Sequence, residues 1–244
     1  ENLTTLHCNV TYLKSIDVSK NTKLQYLNCS ETWNLTTLNV KNCTELHTLY
    51  CSGCKLTELD LSSNGQLQVL WCDNNQFTAL DTAGNSQLKS LYCYNNQLAA
   101  LNLASNPALK ELRCENNQLT TLDLSGNTAL TSLSCENNQL TEIQLKGFSN
   151  LITLSIQKNQ LTSLDVSDCP NLSHLRCSDN QLTELNITGD NKLMNLVCTN
   201  NRLTEIDVKD KSILNYFDTR KNLLKTLDVS QNADLHYFYC DDNQ

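Results

Sequence analysis

The chain has almost none of the residues that interrupt a fold: two prolines and six glycines in 244 residues, with no Ser/Gly-rich stretch. That excludes a flexible linker between separate domains. No apolar run approaches the roughly 18 residues of a membrane-crossing helix, so this segment is not expected to insert directly into a bilayer. Histidine is scarce. His7, His47, His174 and His236 are the only four and lie far apart. There is no His-Glu-x-x-His, no Gly-x-Ser-x-Gly and no phosphate-cradling glycine loop. No catalytic residue, metal ligand or cofactor is assigned, and the chain does not read as an enzyme. Basic residues are also few, 18 against 26 acidic, for a net charge of -8. Nucleic acid and anionic lipid reward a basic face, so neither is expected as a partner.

What the chain does have is one segment written over and over. Its marker is a cysteine in most copies: Cys8, Cys29, Cys51, Cys72, Cys93, Cys114, Cys135, Ile156, Cys177, Cys198, Thr219 and Cys240. Each step is 21 residues except the 22 from Cys29 to Cys51, where the extra residue falls in 31–34. A fixed period of this length means a solenoid, each coil stable only against its neighbours. The unbroken register predicts a single domain over 1–244, about 11 repeats. A solenoid end exposes core and strand edge, so terminal caps are expected. None is visible, and the chain is read as a fragment whose signal or anchor would lie outside it.

Each repeat contains two half-units of the same grammar, such as Leu109-Lys-Glu-Leu112-Arg-Cys114 followed by Leu119-Thr-Thr-Leu122-Asp-Leu124. Apolar and polar residues alternate over Leu-x-Cys and Leu-x-Leu, the period-2 signal of a strand with one buried face. Two short strands per coil are expected, stacked into two parallel sheets around leucines and cysteines, with almost no helix. Three residues after the marker runs a ladder of Asn75, Asn96, Asn117, Asn138, Asn159, Asn180, Asn201, Asn222 and Asn243. A buried amide there supplies both donor and acceptor to turn backbone that lacks ladder partners. The second half-unit repeats the device at Asn21, Asn64, Asn85, Asn106, Asn127 and Asn232.

Residues 67–77, with Cys72 in the third apolar slot, match Leu-x-x-Leu-x-Leu-x-x-Asn-x-Leu, and this resembles the leucine-rich-repeat family over the whole chain. More narrowly it resembles the bacterial 21-residue subclass with cysteine in the strand, internalin-like and of the kind found in Bacteroidetes surface proteins. The resemblance implies a right-handed solenoid, a secreted or cell-surface location and ligand binding on the concave sheet. It implies no single function.

Ten of the thirteen cysteines occupy the inward marker position, where cysteine acts as a small hydrophobe. Cys43, Cys54 and Cys169 replace ladder asparagines, so the Cys51-Ser-Gly-Cys54 spacing follows from the repeat, not from redox or zinc chemistry. In-register side chains point the same way, against the dihedral a disulfide needs, and free thiols are expected. A column of carboxylates and amides including Asp17, Asp60, Asp81, Asp123, Asp165, Asp207 and Asp228 is expected to be solvated and bonded to local turn amides.

The two half-units differ in how much their outward positions vary. The second is monotonous. The first is diversified around its marker, and it carries eight of the ten Tyr and Trp residues: Tyr26, Tyr50, Trp71, Tyr92, Tyr94, Tyr216, Tyr237 and Tyr239. Tyr50, Trp71, Tyr92 and Tyr94 fall on three consecutive coils, bordered by Asp73, Arg113, Glu115 and Glu136. Aromatics with a polar rim characterise interfaces, and these eight residues are the expected ligand-binding set. The sequence reading is a binding module for a protein, peptide or glycan, with other surface or outer-membrane proteins as further partners. The alternative is a passive spacer within a larger surface assembly.

Overall fold

A computed structural model describes residues 2–189 and 192–244. The chain divides into two compact units, Glu1–Asn127 and Thr128–Gln244. Both are parallel β-solenoids, and no described residue is helical.

The first unit contains β1 (Thr5–His7), β2 (Ser15–Asp17), β3 (Tyr26–Asn28), β4 (Thr37–Asn39), β5 (Thr48–Tyr50), β6 (Val69–Trp71), β7 (Ser90–Tyr92) and β8 (Glu111–Arg113). Its main sheet runs β1-β3-β5-β6-β7-β8, one strand per coil, with every pair parallel. The second unit contains β9 (Ser132–Ser134), β10 (Thr153–Ser155), β11 (Ser163–Asp165), β12 (His174–Arg176), β13 (Glu184–Asn186), β14 (Asn195–Val197), β15 (Tyr216–Asp218) and β16 (Tyr237–Tyr239). Its main sheet runs β9-β10-β12-β14-β15-β16, again parallel. Register is in phase with the sequence period, as in Leu49↔Leu70 and Leu70↔Leu91. The 22-residue step is absorbed outside the sheet, because Leu27 still pairs with Leu49.

The central apolar residue of the main-sheet strands points inward and is fully buried from Leu27 through Leu112 in the first unit and from Leu133 through Phe217 in the second. Backbone pairing continues through the marker, with the Cys51 N–H donating to the Trp71 carbonyl at 2.8 Å and Cys72 to Tyr92 at 2.8 Å. Two residues past each marker the chain turns through positive φ, at Val10, Glu31, Gly53, Asn74, Asn95, Asn116, Asn137, Lys158, Asp179, Asn200, Lys221 and Asp242. The ladder asparagine then fills the turn as expected. Asn75 Nδ2 donates to the carbonyls of Cys51 at 2.8 Å and Cys72 at 3.1 Å, and its Oδ1 accepts the Leu56 N–H at 3.0 Å.

The second half-unit departs from expectation in two ways. Among the described residues only β2 with β4 and β11 with β13 form paired strands there. The other described Leu-x-Leu segments of that half form no strand, although their leucines, such as Leu103 and Leu124, are buried. Alternation buries a face; pairing additionally requires the neighbouring coil's backbone within hydrogen-bond distance. The second asparagine ladder is also only half used. Asn85 Nδ2 donates to Leu61 and Asn64 carbonyls at 3.2 and 2.9 Å. The Oδ1 atoms of Asn64, Asn85, Asn127 and Asn232 are buried without a hydrogen-bond partner. Asn106 is the exception, because Thr82 Oγ1 donates to its Oδ1 at 2.8 Å.

Candidate functional site

Parallel register lines up the outward residue just before the marker on four successive strands of the first unit: Tyr50, Trp71, Tyr92 and Arg113. The rings touch. Tyr50 and Trp71 centroids are 4.5 Å apart at 33°, and Trp71 and Tyr92 are 4.9 Å apart and nearly parallel at 3°. Arg113 continues the row, its guanidinium carbon 5.5 Å from the Tyr92 ring centre and 4.6 Å from that of Tyr94. At the other end Tyr26 meets Tyr50 edge-on at 5.6 Å. Each aromatic pair adds about 0.5–1.5 kcal/mol beyond the area it buries, so the row is partly self-supporting.

The acidic residues do not form an exposed rim. Asp73 is 4% exposed and Glu115 3%, because the long side chains of Tyr94 and Arg113 lie over the positions that follow the marker. Asp73 accepts from Ser52 Oγ at 2.6 Å and from Asn74 Nδ2 at 2.6 Å. Burial, then the Asp73 carboxylate it bonds, push the Tyr94 phenol above its ordinary pKa. Glu115 Oε1 receives Arg113 Nε at 2.8 Å and Nη2 as well. Its Oε2 is buried with no hydrogen-bond partner, as is Trp71 Nε1. Tyr92 is likewise pushed up, first by burial and then by its hydroxyl's bond to Glu111 Oε2 at 3.1 Å.

Between the ring row and the positive-φ turns lies a recess of about 710 Å³. It is lined by Tyr50, Trp71, Tyr92 and Tyr94, by Asp73, Ser52 and Arg113, and by the turn residues Val10, Glu31, Gly53 and Asn74. The volume falls within the roughly 300–1,000 Å³ of small-ligand sites. Thus Tyr50, Trp71, Asp73, Tyr92, Tyr94, Arg113 and Glu115 all lie in one neighbourhood of the first unit. Glu136 belongs to the second unit, half-buried after its own marker.

Sequence reasoning missed Val10 and Glu31. The column two residues past the marker is mostly Asn, Asp and Gly, the residues that tolerate left-handed backbone, and that composition was the available signal. Val10 breaks it: a β-branched residue at φ 56°, 53% exposed, on the edge of the recess. Such a conformation is a genuine outlier for valine.

The second unit carries a smaller cluster. Tyr216 lies 6.0 Å from Tyr237 and 5.7 Å from Tyr239. Arg220 stands 5.0 Å over the Tyr239 ring and grips the buried Asp218 carboxylate, Nε to Oδ1 at 2.9 Å and Nη2 to Oδ2 at 2.6 Å.

All thirteen cysteines are free thiols. Burial pushes Cys51, Cys72 and Cys177 well above the usual thiol range and Cys198 to about 12, which keeps them protonated and poor nucleophiles. Cys43 and Cys54 take over the donor role of the asparagines they replace, Sγ reaching the Val18 and Cys29 carbonyls at 3.3 and 3.5 Å. The aspartate column is bonded locally, as in Ser62 N to Asp60 Oδ1 at 3.0 Å and Ser125 N to Asp123 Oδ1 at 2.9 Å. Among the described residues no group of three or more His, Cys, Asp or Glu could hold a metal ion, and no helix is long and apolar enough to cross a membrane.

Comparison with known proteins agrees with this architecture. The family described as leucine rich repeats (2 copies) matches residues 107–147. The chain is similar to the functional domain of InlJ from Listeria monocytogenes, which includes a cysteine ladder, at 34% identity and a TM-score of 0.89. That alignment covers 95% of this chain and 54% of the Listeria chain, so this chain spans about half of it. An internalin, InlF, from the same species is similar in fold at 22% identity and TM-score 0.73, covering 99% and 81%. The plant peptide hormone receptor RGFR1, solved in complex with RGF2, shares the fold at 20% identity and TM-score 0.79, covering 100% and 48%. No curated protein matches the chain in sequence.

Proposed function

For this leucine-rich-repeat protein of the 21-residue, cysteine-ladder type, we propose a protein-binding role on the bacterial surface or outside the cell, with the first-strand face of the first unit as recognition surface. The observation that carries the reading is the contiguous row Tyr50–Trp71–Tyr92 along a recess with a buried carboxylate in it. Large rings give contact area at low entropic cost, and central aromatics dominate interface energy. The solved relative in complex with a peptide hormone supports the choice of a protein ligand.

A glycan fits this surface less well. Trp71 has Tyr50 on one side and Tyr92 on the other, and Tyr92 has Trp71 and Arg113. A pyranose ring stacks on an open aromatic face, and these faces are occupied by their neighbours. The spacer reading draws on the uniform polar outward positions of the second half-unit, which offer no comparable cluster.

The test is capture of surface proteins by the parent, by Trp71→Ala with Tyr92→Ala, and by Thr121→Ala with Asp123→Ala. The aromatic pair is expected to weaken capture by at least about 30-fold, the effect of losing about 2 kcal/mol at one of the two central anchors. The second pair is expected to leave capture unchanged. Loss with the second pair alone moves the recognition surface to the other half-unit, and no specific capture by the parent favours the spacer.

A further inference from the structure

Three buried carboxylates lie on the first-strand faces of the two units, and two have a basic partner from their own coil. Glu115 is held by Arg113, whose guanidinium rests on Tyr92 and Tyr94. Asp218 is held by Arg220, whose guanidinium rests on Tyr239. The arrangement is the same each time: a carboxylate at most 3% exposed, a guanidinium above it, and a tyrosine face under the guanidinium. It combines a charge-assisted hydrogen bond with a cation–π contact.

Asp73 is the third. It is as buried as the other two, and it lines the recess beside Trp71, Tyr92 and Tyr94. The coil that carries it has Trp71 where the Glu115 coil has Arg113. Its hydrogen-bond donors are a hydroxyl, an amide and the Tyr94 phenol, and among the described residues no Lys or Arg forms an ion pair with it. Glu31 adds a second negative charge on the recess wall, while Arg113 is engaged by Glu115. Trp71 lines the recess, and its Nε1 is buried without an acceptor.

We propose that the recess binds a lysine or arginine side chain of the partner protein, with its aliphatic stem along the Tyr50–Trp71–Tyr92 row and its cationic head at Asp73. The assignment rests on the protein-docking reading above and names the chemistry of its central contact. The ligand cation would supply at Asp73 the basic partner that the chain builds for itself at Glu115 and Asp218. A net charge of -8 draws cationic partners toward the whole chain.

The experiment uses the full chain carrying Trp33→Phe, which leaves Trp71 as the only tryptophan. Its fluorescence is titrated with acetylated, amidated Gly-Lys-Gly, Gly-Arg-Gly, Gly-norleucine-Gly and Gly-Glu-Gly. The lysine and arginine peptides are expected to give saturable changes at about tenfold lower concentration than norleucine, and Gly-Glu-Gly none. Asp73→Asn, which keeps the shape and an acceptor for Ser52, is expected to remove the preference for lysine over norleucine. Equal response to lysine and norleucine, or no response to either, overturns the assignment on the parent alone, whatever the variant does. A surface protein lost by Trp71→Ala with Tyr92→Ala but captured in full by Asp73→Asn also overturns it, and leaves the docking reading standing.

Discussion

The two half-coils share a grammar and diverge in what holds them. In the first, coils within a unit are bonded to one another through strand, marker and turn, and both ends of the ladder asparagine are used. In the second, paired strands occur in two places only among the described residues, and four buried asparagine Oδ1 atoms have no partner. Apolar packing is common to both. The difference teaches that burial makes the coil, whereas a saturated hydrogen-bond lattice makes a surface rigid enough for its outward residues to vary.

The sharpest way to break that comparison is to delete one amide from each ladder. Asn75→Ala removes donors to the Cys51 and Cys72 carbonyls and strands the buried Leu56 N–H, so a loss of about 2–3 kcal/mol is expected. Asn85→Ala removes two donor bonds but also an acceptor that had no partner. About 1 kcal/mol is expected there. Urea unfolding followed by circular dichroism measures both, and equal losses would erase the distinction between the ladders.

A second substitution sharpens it at the turn. Val10→Asn places a residue that tolerates left-handed backbone at φ 56° and is expected to stabilise the protein by about 1 kcal/mol. If Val10 contributes to recognition, the same change weakens capture of the partner while raising the melting temperature. A variant that is destabilised would show that the valine side chain packs there in a way its 53% exposure does not suggest.

The smallest effect is in the second half-coil and appears only in acid. Asp17, Asp60 and Asp228 have pKa values held below the ordinary carboxylate range, chiefly by the hydroxyl of the serine two residues on, and Asp123 chiefly by the Ser125 backbone N–H. A folded pKa below the unfolded one means that the unfolded chain binds protons more readily. The stabilisation is therefore complete above the ordinary value of 3.8 and drains away as pH falls through the folded values. Asp123→Asn keeps the acceptor for Ser125 N–H and removes one titration. Its acid unfolding curve should be less steep than the parent's, and superposable curves would show that Asp123 does not contribute.

Much of the fold was legible because a solenoid is nearly one-dimensional: the marker spacing fixes register, and register places Leu49 on Leu70 and Trp71 on Tyr92. The ring row followed from the same arithmetic. What could not be read depends on neighbours 19 to 21 residues away acting in three dimensions. Asp73 looks exposed in sequence, yet Tyr94, Ser52 and Asn74 enclose it. The incomplete second sheet was hidden for a related reason, since alternation reports burial and says nothing of the distance between coils. Val10 was legible in principle, but only by comparing twelve turns with one another.

The uniform register has a consequence at the level of the gene. Each coil within a unit meets its neighbours through equivalent positions, so removing or duplicating a 21-residue window would present the remaining coils with the contacts they already make. Misaligned recombination between such windows would alter reach and surface chemistry while sparing the core. The 22-residue step near Trp33 shows how much irregularity the scheme absorbs, with one added residue held outside the sheet and the pairing of Leu27 with Leu49 undisturbed. Length and recognition chemistry are thus separately heritable in this architecture.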